Sequence, residues 1–172
     1  LERLPSEPIE QFVELLAAAR AEGRTIYAFG NGGSASTASH FVCDLVKNTV
    51  RVESPRIRAI GLNDNIPTFS AYANDVGYES VFAEPLKTLA HAGDIAVAIS
   101  CSGNSPNVLQ AIEVANEINM RTVGLTGFEG GKLRELVELD IIVPCDDMRQ
   151  IEDAHLAICP MGPNPEEELE DR

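Results

Sequence analysis

The stretch DIAVAISCSGNSPNVLQAI, Asp94 to Ile112, changes character twice. Ile95 to Ile99 is apolar at every position, with no polar residue on either face. A strand of that kind needs cover on both sides, as in the middle of a parallel sheet. SCSGNSPN then gives small polar residues, and Val108 to Ile118 reads as a convincing helix. The stretch is therefore a buried strand, a polar loop and a helix in succession. In such units ligands bind beyond the carboxyl end of the strand.

The same alternation extends in both directions. Thr25–Phe29, Ile57–Leu62, Arg121–Thr126 and Asp140–Val143 read as strands. Helices are expected over Glu7–Glu22, Ser34–Lys47, Thr68–Ala73, Val81–Leu89, Lys132–Val137 and Asp153–Cys159, with Pro85 as a warning in the fourth. The pattern predicts one α/β domain, a three-layer α/β/α sandwich on a mainly parallel sheet. It is expected over residues 1–160, followed by an acidic, disordered tail over 161–172.

Composition narrows the function classes. The 172 residues suffice for one full core, and no apolar run is long enough to span a membrane. A formal charge of −14 argues against a non-specific grip on nucleic acid. It leaves room for an anionic small ligand held by backbone N–H groups at a helix start. Cys43, Cys101, Cys145 and Cys159 show no CxxC spacing and read as free thiols of a reducing, cytoplasmic setting.

Two loops lie where a ligand is expected. The first, GNGGS, matches neither the dinucleotide fingerprint nor the Walker pattern, so no nucleotide cofactor is expected. The simpler alternative is a glycine turn with Ser34 as a helix cap. The second places Ser100, Ser102 and Ser105 around Gly103, just before a helix beginning near Pro106. Three hydroxyls at a helix N-terminus suit a phosphate monoester, whereas an ordinary cap needs one. Neither loop contains lysine, which argues against ATP hydrolysis.

GNGGSASTASHF, SAYANDVGYE, ISCSGNSPNVLQAI and VGLTGFEGGKL, in this order, resemble the motifs of the sugar isomerase (SIS) domain family. The resemblance is nearest to the phosphoheptose isomerases and covers Gly23 to Ile158. It implies the flavodoxin-like or Rossmann-like SIS fold and a homotetramer with sites between subunits. It also implies conversion of sedoheptulose 7-phosphate to D-glycero-D-manno-heptose 7-phosphate through an enediolate. Carried over by the resemblance, Ser100, Cys101, Ser102 and Ser105 hold the phosphate. Cys101 stands where the family often has threonine. Asn31, Gly32, Gly33 and Ser34 line the sugar, with Asp75 as an acidic site residue.

The resemblance further implies a proton-transfer helix after GNGGS with a histidine and a glutamate four residues apart. Here they are His40 and Asp44. A later glutamine and, eight residues on, a histidine complete the zinc ligands of metal-binding members. Those positions carry Glu152 and Pro160. Two readings stay open. His40, Asp44 and Glu152 hold zinc or another divalent metal with His155 as acid or ligand, or the chain is a non-catalytic phosphosugar-binding adaptor. An isomerase for another sugar phosphate is the third alternative. His91 reads as a surface loop residue.

Overall fold

The computed structural model describes residues 4–50, 52 and 54–159. The expectations for Pro160 and for the acidic tail lie outside these residues. The elements run α1 (Ser6–Glu22), β1 (Thr25–Gly30), α2 (Gly33–Cys43), β2 (Arg58–Gly61), α3 (Ile66–Asp75), α4 (Ala83–Leu89), β3 (Ile95–Ser100), α5 (Pro106–Ile118), β4 (Arg121–Gly127), β5 (Leu139–Val143) and α6 (Met148–Ile158). All five strands are parallel, in the order β2-β1-β3-β4-β5.

The central strands β1 and β3 are buried at every residue, as their unbroken apolar runs require. Alternate residues serve opposite faces. Ile26, Ala28, Ile95, Val97 and Ile99 pack with Phe12, Leu16, Phe41, Ile151 and Ile158 from α1, α2 and α6. Tyr27, Phe29, Ala96 and Ala98 pack with Phe82, Leu86, Val108 and Ile112 from α4, α5 and the turn before α4. These two cores make the three layers. Edge strand β2 is shorter than its apolar run and is only partly covered.

Strand order positions the site. The chain leaves β1 toward β2 on one side and later returns to β3 on the other. The loops after β1 and β3 therefore diverge and open a crevice at the carboxyl ends of the strands.

Several boundaries differ from expectation. Pro85 sits in the first turn of α4, where its missing N–H costs no intrahelical bond. The helix expected over Lys132–Val137 is a single 3₁₀ turn, Leu133–Glu135. The helix expected to run through Lys47 widens into a π-turn over Asp44–Asn48. Within it Asn48 Nδ2 donates to Asp44 Oδ1 at 2.7 Å, and Thr49 Oγ1 donates to the Leu45 carbonyl at 2.6 Å. Isolated π-turns of this kind recur at functional sites.

Helix α6 begins at Met148, five residues before the expected Asp153, because Asp147 accepts the Arg149 N–H at 3.0 Å as its N-cap. Its buried face runs Ile151, His155, Ile158. A histidine in the middle of that stripe hides it from a hydrophobic-periodicity reading.

Candidate active site

A cavity of about 130 Å³ opens in the crevice, lined by Asn31, Ser34, Ile99, Ser100, Cys101, Ser102, Ser105, Met148 and Glu152. Seven of these were expected from sequence; Ile99 and Met148 were not. Met148 enters only because α6 starts early.

Ser105 is the N-cap residue of α5 by backbone geometry, yet its side chain makes no cap hydrogen bond. Its hydroxyl meets that of Ser100 at 3.4 Å. Spent only on each other, the pair still has one hydroxyl proton to donate at the positive end of a 13-residue helix. The Ser102 hydroxyl accepts the Asn104 N–H at 3.2 Å and keeps its own proton to donate.

The loop's shape comes from the GFEGG turn beyond β4. Asn104 Nδ2 donates to the Ser102 carbonyl at 2.8 Å, and the Lys132 N–H donates to Asn104 Oδ1 at 3.1 Å. The Leu133 N–H donates to the Gly103 carbonyl at 2.9 Å. Neither Asn104 nor this buttress was read from sequence, because its two halves lie 28 positions apart.

On the β1 side, Gly30 is clipped by Asn63, which accepts the Gly30 N–H and donates back to its carbonyl. Exposed Gly32 and Gly33 then lead into α2. A Cβ at Gly33 would overlap the Glu152 carboxylate, so glycine is what lets Glu152 lie over the first turn of α2. Burial pushes the Cys101 thiol up, and the negative charge of Glu152 adds to the shift.

His40 Nε2 stands 3.4 Å from Asp44 Oδ2, with the imidazole half exposed and the carboxylate only 19% exposed. Burial, with the Asp44 charge second, pushes the neighbouring Cys159 thiol up to about 12. His40 and Asp44 are therefore brought together, while Glu152 stands with the serine loop. Among the described residues no three His, Cys, Asp or Glu side chains gather as a metal set. Asp75 sits on exposed α3, its carboxylate bonded by Asn74, and does not line the cavity.

His155 does not line the cavity either. It is fully buried, and its Nε2 lies 2.9 Å from the Thr126 carbonyl, which requires Nε2 to carry the proton. Its Nδ1 has no partner. Protonating Nδ1 would bury a charge, so burial lowers the His155 pKa from 6.5 against the opposing Thr126 bond. The unfolded chain then takes up a proton at a higher pH than the folded one. The contribution is complete above about pH 6.5 and is lost as pH falls toward the lowered folded value. Replacing His155 by Gln is expected to cost about 1–3 kcal/mol at pH 7.5. In denaturant titrations the gap between wild type and variant should narrow at pH 5.

The SIS domain family model matches residues 1–127. The phosphoheptose isomerase of Geotalea daltonii is 41% identical over 89% of this chain and 79% of its own length. That of Helicobacter pylori is 41% identical over 87% and 78% respectively. Among solved structures, the phosphoheptose isomerase of Neisseria gonorrhoeae superposes with a TM-score of 0.83 at 33% identity, over 89% of this chain and 81% of that one. That of Francisella tularensis gives 0.83 at 30% identity, over 91% and 83%. The chain belongs to the SIS domain family, and these relatives, matched over most of their length, are phosphoheptose isomerases.

Proposed function

We propose that this protein is an aldose–ketose isomerase acting on sedoheptulose 7-phosphate. The observation that carries the reading is the serine loop at the start of α5, whose hydroxyls line the cavity without capping the helix. His40 and Asp44, in contact farther along the helix that follows the β1 loop, supply the imidazole and the mostly buried carboxylate. The hydroxyls donate to phosphate oxygens, and the positive end of the helix offsets their charge. Asp44 takes the proton from C1, beside the C2 carbonyl, and the electron pair moves onto the carbonyl oxygen as an enediolate. The proton on O1 passes to O2, and as the O1 electron pair closes the new C1 carbonyl the carboxyl returns its proton at C2, giving the heptose 7-phosphate; the same carboxyl acts as base and then as acid. His40 orients the carboxylate.

His40 and Asp44, in contact, are two of the donors that zinc or another divalent metal would use in this reading, and a bound metal would polarise the carbonyl oxygen. His155, bonded to β4, serves as an anchor of α6 in this reading. A homo-oligomer, a tetramer by family resemblance, is part of the proposal. Helix α3 has no buried residue in a single chain, and a second copy over it would also cover Asp75.

Incubation with sedoheptulose 7-phosphate, followed by NMR, tests the reading. Aldose 7-phosphate above the no-enzyme control is expected. Tight binding without product, from folded protein, would make this a phosphosugar-binding domain. Product only from hexose or pentose phosphates would change the substrate. Arms with EDTA and with added zinc read the metal dependence directly.

A further inference from the structure

Asn31 is wired to two residues that do not line the cavity. Asn31 Nδ2 donates to Asn107 Oδ1 at 2.9 Å, and Asn107 Nδ2 donates back to Asn31 Oδ1 at 2.9 Å. The Tyr78 hydroxyl donates to the same Asn31 oxygen at 3.0 Å. An amide oxygen has two acceptor sites and an amide nitrogen two donors. Both acceptor sites of Asn31 are therefore filled, and one of its N–H groups is used. What Asn31 has left is a single N–H.

The wiring is itself fixed. Asn107 is 2% exposed, in the first turn of α5, and its Oδ1 also accepts the Val108 N–H at 3.0 Å. Tyr78 is set by an edge-on ring contact with Phe69, centroids 5.8 Å apart. An amide facing a ligand can ordinarily flip and present either end. Here a flip would set N–H against the Asn107 Nδ2 donor, whose own orientation the Val108 N–H fixes, and would give up the Tyr78 donation.

We propose that Asn107 and Tyr78 are positioning residues that lock Asn31 as a donor-only contact in the cavity. That corner then takes a ligand oxygen only as an acceptor, and an oxygen with no proton to place, such as a phosphate oxygen, a carbonyl or an enediolate, suits it best. This rests on the sugar-phosphate reading above. It adds a polarity filter beside the serine hydroxyls, which can both donate and accept.

The test measures affinity for inorganic phosphate and for sedoheptulose 7-phosphate, with turnover followed on the same samples. Asn107→Ala is expected to weaken sedoheptulose 7-phosphate by ~10-fold and the exposed Tyr78→Phe by ~3-fold, one hydrogen bond being worth about that much. Equal weakening of inorganic phosphate assigns the contact to a phosphate oxygen. Unchanged phosphate affinity assigns it to the sugar. The double variant Asn31→Ala/Asn107→Ala should bind no worse than Asn31→Ala alone, because Asn107 acts through Asn31. Additive losses, or full affinity for both ligands in Asn107→Ala and Tyr78→Phe, overturn the proposal. Wild-type protein that binds the sugar phosphate without converting it overturns the isomerase reading alone, since the affinities still decide the role of the amide pair.

Discussion

Asp44→Asn is expected to lower kcat for sedoheptulose 7-phosphate by ~10³-fold, within the 10²–10⁴-fold range of a lost general base. KM should stay within ~3-fold, because the cavity proposed to hold the phosphate is lined by other residues. Fold is a weak confounder here. An Asn Oδ1 can still accept the Asn48 amide that now donates to Asp44 Oδ1 at 2.7 Å. Thermal unfolding of the variant should therefore match wild type to within about 4 °C, the shift for roughly 1 kcal/mol. A variant keeping more than a third of wild-type kcat would remove Asp44 from the chemistry. Asp44→Glu tests reach. Aspartate is one methylene shorter than the glutamate that the family resemblance implies, and a ~1 Å misplacement costs about 100-fold. The longer side chain is expected to raise kcat; a fall would mean that the π-turn over Asp44–Asn48 already supplies that reach.

The sheet was legible because burial on both faces leaves no room for polar residues in β1 and β3. The serine loop was legible because three hydroxyls exceed what a helix cap uses. Other features had no local signal. The start of α6 depends on Asp147, and its inward face passes through His155, so apolar spacing alone places the helix too late. Asn104 and the GFEGG turn meet across two crossover loops. Tyr78, Asn31 and Asn107 come from three separate segments and join only once β1 and β3 are neighbours. A periodicity sees residues within one element; these contacts depend on strand order. Resemblance put Glu152 with His40 and Asp44, whereas packing over Gly33 sets it beside Cys101.

Gly103→Ala is expected to be the most destabilising single-methyl change near the site, at ~2–5 kcal/mol and roughly a 5–15 °C drop in Tm. Two independent effects add. Gly103 has φ +62°, a conformation that costs an L-residue about 1 kcal/mol. A Cβ there would also land on the Gly130 carbonyl oxygen, which is backbone and cannot rotate away. Gly23→Ala separates the two. Gly23 has φ +68° with nothing within 4 Å of an added Cβ, so only the conformational cost applies. Its Tm should fall by about 2–4 °C. The difference between the variants is the clash, and the clash sits in the serine loop proposed to hold the phosphate. Relieving it means separating the Ser100–Ser105 loop from the GFEGG turn, which breaks the bonds from Lys132 to Asn104 and from Leu133 to Gly103. Inorganic phosphate should therefore bind Gly103→Ala at least ~10-fold more weakly, while Gly23→Ala keeps wild-type affinity. Equal losses of stability in the two variants would mean that the turn yields without cost, and that it does not shape the clamp.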